Sequence, residues 1–371
     1  MFKLFSPLKH ASASPAQPGK TLPRPISLAI AATCLVFSLA SPLSFAAERD
    51  SFKVCWSIYV GWMPWGYGAE AGIVEKWADK YGIDIEVVQI NDYVESINQY
   101  TAGEFDACTM TNMDALTIPS AGGVDTTALI VGDFSNGNDA IILKEQATLA
   151  DIKGQQVNLV ELSVSHYLLA RALESVDMSE KDVTVVNTSD ADMVAAYTTA
   201  DVTSVVTWNP LVAEILQMPG ANKVFDSAAI PGEIIDTLMI NTATLKANPD
   251  LGKALVGAWY EIMQNMQANA EVRELMGKAS GTDLAGYEMQ LASTKMFYTA
   301  ADAVSFVNSA DLLQTMQYVA EFSFTHGLLG DGAPDAGVIG IATPAGTFGD
   351  EANVLLRFDP TYMQMAADGE L

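Results

Sequence analysis

Two kinds of side chain with binding chemistry recur in this chain, aromatic rings and carboxylates. CWSIYVGWMPWGYG (Cys55 to Gly68) crowds Trp56, Tyr59, Trp62, Trp65 and Tyr67 into one short connection, where turns ordinarily use Gly, Asn and Ser. Such rings either fill a core or wall a pocket for something flat. Trp56 reads as core, whereas Trp62 and Trp65, flanked by Gly61, Pro64 and Gly66, are candidates for a cleft. Trp208 stands before Asn209 in VTWNPL, Asn112 and Asp114 follow an apolar run in TMTNMD, and GDFSNGND carries Asp133 and Asp139. Glu161 ends VNLVE, and Asp236 opens DTLMIN. Each acid has a structural alternative: Asp133 and Asp139 as turn caps, Asp114 in a first helical turn, Glu161 capping Ser163 or Ser165.

No Arg or Lys precedes Lys144 near these positions. An anion would meet repulsion there, so the residues point to a neutral or cationic ligand. Catalytic signatures are missing from the sequence. There is no phosphate-binding glycine loop, no G-x-S-x-G, no H-E-x-x-H, and no Cys/His group with metal-ligand spacing. His10, His166 and His326 are far apart, and no role is assigned to them. The expectation is a binder rather than an enzyme, with no cofactor and no metal.

The elements that hold these groups alternate. Strand-like runs are FKVCW, IDIEVVQI, FDACTM, TALIVGDF, DAIILK, QQVNLVE, DVTVVN, TSVVTW and DTLMIN, with helical stretches between them. That rhythm predicts βαβ units and parallel sheets. Two such units, joined near 133–139 and again near Asp236, predict an α/β fold of two lobes, each a parallel-type sheet with flanking helices. Ligands of such folds sit between the lobes, at the carboxyl ends of strands. The predicted boundaries are 47–135 for the first part of lobe 1, 136–236 for lobe 2, and 237–330 for the return to lobe 1 with a helical segment. The tail, 331–371, is rich in Gly and Pro and predicts little.

Residues 1–46 read as an export signal: Lys3, Lys9, Lys20 and Arg24, then the apolar run Ile26 to Leu43, then small residues to Ala46. An uncleaved anchor is the alternative. Cleavage near Ala46 removes four of the 19 basic residues, leaving 15 against 45 acids, a net charge of −30. So acidic a surface argues against nucleic acid and anionic membranes. Of the two remaining cysteines, Cys55 and Cys108, the expectation is a pair of buried thiols, with a disulfide as the alternative if their strands are neighbours facing the same side.

LADIKGQQVNLVELSVSHYLLARALES (Leu149 to Ser175) resembles the start of the second lobe in nitrate/sulfonate/taurine-type substrate-binding proteins of ABC importers. CWSIYVGWMPWGYGAEAGIVEKWADKYGI, INQYTAGEFDACTMTNMDAL, GGVDTTALIVGDFSNGNDAI and VTWNPL resemble one branch more narrowly, the binding proteins associated with urea carboxylase. The resemblance implies a type II periplasmic-binding fold, periplasmic location, and permease and ATPase subunits as partners of a monomer. It also implies guanidine or a urea-like compound as cargo. Guanidinium is planar and donor-only, and asks for carboxylates at its rim and rings on its faces. Anion-binding members should turn a helix N-terminus and Ser toward their ligand. Glu161 at that turn is the expected discriminator here. A secreted sensor would share the fold. The thiamine-pyrimidine enzymes of the same fold carry a Cys-rich motif that this chain lacks.

Overall fold

The computed structural model describes residues 49–330 and 332–371; the expected export signal lies outside them. Among the described residues, fourteen strands form two sheets. In chain order they are β1 Ser51–Trp56, β2 Asp84–Gln89, β3 Ala107–Thr111, β4 Thr126–Ser135, β5 Ala140–Lys144, β6 Gln156–Leu159, β7 Thr184–Asn187, β8 Ser204–Thr207, β9 Ala221–Asp226, β10 Ile235–Asn241, β11 Thr294–Met296, β12 Gly340–Thr343, β13 Gly346–Phe348 and β14 Val354–Phe358. The first sheet runs β13-β12-β14-β4-β10-β3-β1-β2, with β11 on β4, and the second runs β7-β6-β8-β5-β9. Each is the floor of one lobe.

The βαβ units are parallel where the apolar rhythm predicts them: β1 pairs with β2 and β3, and β6 with β7 and β8. The crossing strands are not. β10 runs antiparallel to β3 and β4, and β5 antiparallel to β8 and β9. The chain leaves the first sheet at the end of β4 and returns through β10 beside it, so the two crossings lie side by side. That gives two narrow linkers between two rigid sheets, the geometry of a hinge. A register shift opposite Asp236/Thr237 leaves Gly132 extra on β4. A Cβ on Gly132 would come within 3.0 Å of Trp259, so the bulge needs glycine.

Local signals set the helices. Ile73–Tyr81 stops at Gly82, whose φ of 68° is left-handed. Val164–Glu174 starts at Ser163, whose side chain accepts from the Ser165 N–H. The 20-residue helix Pro249–Ala268 begins on its proline and buries Trp259 against lobe 1. The tail is regular too. β14 lies parallel to β4, Leu356 beside Thr126 and Phe358 beside Ala128, and the helix Thr361–Asp368 follows. Three strands of five residues or fewer carry too little periodicity to be seen in sequence.

The thiol expectation fails. Cys55 and Cys108 are register partners on β1 and β3, their Cα atoms 4.5 Å apart, and they form a disulfide. Directly opposed residues of adjacent strands point to the same face, which is what a disulfide requires.

Away from the crossings, lobe 2 touches the helix Ala310–Thr325 of lobe 1. Tyr318 donates to Glu174 at 3.0 Å, and Tyr167 packs edge-on against Phe322 at 4.8 Å. Glu180 lies in contact with both His166 and His326 through their Nε2 atoms. The His166 Nδ1 accepts from the Leu162 N–H at 3.2 Å, so His166 meets Glu180 as a donor.

Candidate functional site between the lobes

After β1 the chain turns tightly, the Trp62 and Met63 N–H groups both donating to the Tyr59 carbonyl at 2.9 and 3.1 Å. The turn brings the Tyr59 and Trp62 rings edge to face, centroids 4.9 Å apart. After β2, Tyr93 opens the helix Tyr93–Thr101, capped by the Asp92 side chain. Its ring lies 5.6 Å from Trp62 and 5.5 Å from Trp208, which follows β8 in the other lobe. Thr111 ends β3, and Val164 opens the helix after β6. Four rings therefore converge from the carboxyl ends of β1, β2 and β8, the place an α/β fold reserves for ligands.

Carboxyls come from the hinge and from the end of β3. Asp133 on β4 and Asp236 on β10 are register partners. The Tyr59 hydroxyl donates to Asp133 Oδ1 at 2.8 Å. Asp139 accepts from the Ser135 hydroxyl at 2.5 Å, in the linker before β5. Asp114 Oδ2 accepts from the Tyr93 hydroxyl at 2.6 Å and from the Thr111 hydroxyl at 2.9 Å. The four aspartates are 0–4 % exposed.

Rings and acids enclose a cavity lined by Tyr59, Trp62, Tyr93, Thr111, Asp139, Val164, Trp208 and Asp236. It leaves ≈ 10 Å³ to the centre of a water molecule, about enough for one water. The lobes are closed on each other in this structure.

Electrostatics single out the acids. Burial pushes Asp139 up to about 7, against the Ser135 hydrogen bond. Burial likewise raises Asp133 to about 7, the Tyr59 hydrogen bond and the neighbouring Asp236 opposing it and the Asp139 charge adding to it. Asp236 is raised well above the carboxylate range by burial and by the charges of Asp133 and Asp139. Asp114 rises to about 6 through burial, held down by Tyr93, Thr111 and the Val164 N–H. Among the described residues, no Lys, Arg or His forms an ion pair with any of the four. Asp114 Oδ1, Asp133 Oδ2, Asp236 Oδ2 and Trp62 Nε1 are buried without a hydrogen-bond partner in the protein, a costly arrangement unless something else meets them.

Residues 75–272, just over half of the 371, match the family model described as NMT1/THI5 like. The chain belongs to the NMT1/THI5-like family. A protein of Brucella abortus (strain 2308) that carries the name of a putative binding protein is 24 % identical over 272 residues, 71 % of this chain and 83 % of that one. Among solved structures, the alkanesulfonate-binding protein SsuA of Xanthomonas axonopodis pv. citri, bound to MOPS, superposes with a TM-score of 0.63 at 17 % identity, covering 76 % of this chain and 96 % of its own. The periplasmic nitrate-binding protein NrtA of Synechocystis PCC 6803 gives 0.55 at 14 % identity, covering 87 % and 99 %. The fold is therefore that of the two-lobed periplasmic binding proteins.

Within this NMT1/THI5-like fold, the residues expected at the site divide. Trp62, Trp208, Asp139 and Asp236 line the cavity, and Asp133 and Asp114 stand directly behind it on Tyr59, Tyr93 and Thr111. Trp65 does not reach it: the ring is 1 % exposed and stacks on Trp259 at 5.3 Å, in the core of lobe 1. Asn112 is spent on backbone, accepting from the Ile235 N–H at 3.0 Å and donating to the Glu233 carbonyl at 3.1 Å. Glu161 is exposed in the turn before the Val164–Glu174 helix and is no part of the lining, so it is not the discriminator. Asp114 of lobe 1 is the acid whose pKa the Val164 backbone of lobe 2 lowers. Sequence reasoning missed Tyr59, Tyr93, Thr111 and Val164. Tyr59 sat in the ring-rich stretch, and Tyr93 and Thr111 each mark a strand-to-helix junction.

Proposed function

We propose that this chain is the solute-binding component of an ABC-type importer, exported to the periplasm, and that its interlobe cavity takes a small planar cation of the guanidinium class. The observation that carries the reading is the set of four buried aspartates with no cation of the protein among them, beside four aromatic rings. Buried carboxylates without a counter-charge are destabilising, and a ligand cation is the group that relieves them. Rings on the faces of a flat cation add attraction of about 2 kcal/mol when desolvated.

An anion is disfavoured twice. The acids repel it, and the Val164 backbone at the helix N-terminus that would attract it already favours the Asp114 carboxylate. The tight cavity favours a solute of few heavy atoms. Closure of the lobes over the cation would then present the form that membrane permease and ATPase subunits recognise.

A thermal-shift panel of guanidinium, urea, taurine and nitrate tests the reading, since a ligand that binds the folded state raises its melting temperature. Guanidinium is the compound expected to stabilise at the lowest concentration. Stabilisation by taurine or nitrate alone contradicts the proposal. Asp139→Ala should weaken guanidinium roughly tens- to thousands-fold, about 2–5 kcal/mol. Glu161→Ala should leave affinity within about 0.5 kcal/mol of the parent.

A further inference from the structure

Asp133 and Asp236 face each other across β4 and β10 of one sheet. Each keeps an Oδ2 with no donor from the protein, while Asp133 Oδ1 is held by the Tyr59 hydroxyl. Gly61 closes the space on the other side: a Cβ there would come within 2.5 Å of Asp133 Oδ2. Two buried carboxyls opposed across adjacent strands, with no cation among the described residues paired with either, do not both ionise. One proton must stay between them until another positive charge arrives.

We propose that the site exchanges a proton for its cation. The pair Asp133–Asp236 holds one proton in the ligand-free protein and releases it to solvent when the cation binds. The inference rests on the cationic reading of the cavity. The bond broken is one carboxylic O–H, the proton passes to water or buffer, and the ligand keeps its charge throughout. Nothing is oxidised or reduced.

The surrounding groups reinforce the exchange. Asp139, in the linker before β5, adds negative charge to both members of the pair. Asp114, on the turn after β3, bears on Asp139. Tyr59, Tyr287 and Tyr298 feel the Asp133 charge, and burial keeps all three protonated, so they cannot donate a counter-charge. Arg273 acts on Tyr298 but is paired with Glu288 at 3.0 Å. Burial raises both acids, Asp133 to about 7, the Asp139 charge adds to both, and the Asp133 charge raises Asp236 further, which puts the exchange near neutral pH.

Titration calorimetry of guanidinium chloride in two buffers of different ionisation enthalpy counts the protons. The expected result is about one proton released per ligand near neutral pH, with affinity rising ~10-fold per pH unit below that range. Asp236→Asn, which cannot share a proton as an acid pair does, should bind with no release. Infrared spectroscopy reads the proton without any ligand: a protonated carboxyl band should be present in the parent at neutral pH and weaker in Asp236→Asn. Binding whose enthalpy is the same in both buffers overturns the exchange and leaves the cationic reading standing. A missing carboxyl band overturns the exchange as well. No guanidinium binding at all removes the cationic reading, and the exchange with it.

Discussion

The indole N–H of Trp208 donates to the main-chain carbonyl of Ile58 at 3.4 Å. Trp208 belongs to lobe 2 and Ile58 to lobe 1, so one side chain forms both a wall of the cavity and a tie across the gap. Its ring also meets Tyr93 of lobe 1 edge-on at 5.5 Å. Replacing Trp208 by Ala removes a ring face and the tie together. We expect guanidinium affinity to fall by roughly 30-fold, about 2 kcal/mol, with far-UV circular dichroism unchanged. Calorimetry on the variant checks this.

Gly61 is where backbone approaches the acids most closely. A methyl at this position would lie 2.5 Å from Asp133 Oδ2 and 2.6 Å from the Tyr59 ring. Gly61→Ala must displace both, at a cost of about 1–3 kcal/mol. The expected signature is a lost or strongly weakened ligand-induced shift in a protein that still melts cooperatively. A variant that binds as the parent does would show that Asp133 and Tyr59 have room to move.

The disulfide closes a loop of 53 residues between β1 and β3. Chain-entropy reasoning gives such a loop about 4 kcal/mol, with measured values commonly nearer 2–4. Cys55→Ala/Cys108→Ala, or reduction, should therefore lower the melting temperature while leaving the cavity residues in place. Thermal melts with and without reductant measure the effect. No change on reduction would mean the bridge adds nothing to stability.

Glu180 joins the lobes through His326 at a distance from the cavity. The Glu180 hydrogen bond raises the His326 pKa above its ordinary 6.5. Burial would raise Glu180, but the hydrogen bonds of His166 and His326 and the His326 charge win and hold it at about 2. The His326 share of stability is full below about 6.5 and is lost as pH rises through its raised value. The Glu180 share is full above about 4.5 and is lost as pH falls through about 2. Both are present between about 4.5 and 6.5. The melting-temperature difference between the parent and His326→Gln should be largest in that window and shrink in alkaline buffer. A difference independent of pH would contradict the pairing.

How much of this was legible in the sequence follows from what each residue depends on. Period-two and helical rhythms are local, so the βαβ units and the two crossings could be read directly. Trp208, Asp139 and Asp236 could be read because they sit at strand junctions. Trp62 and Trp65 share one stretch and one type of flank, yet Trp65 falls on the inner face of the helix Met63–Glu70, where Trp259 covers it. That partner is nearly 200 positions away, and no local pattern reveals it. Glu161 misled for the same reason: which carboxylates come near the cavity depends on how the lobes dock. The disulfide likewise depends on strand order, since β1 lies between β2 and β3.

A crystal structure grown with guanidinium is the most direct examination of the central claim. The account predicts a flat, three-pronged density between the rings of Trp62 and Trp208, within hydrogen-bonding distance of Asp139 and Asp236. Density for an anion against the Val164 N–H, with Asp114 swung away, would contradict it.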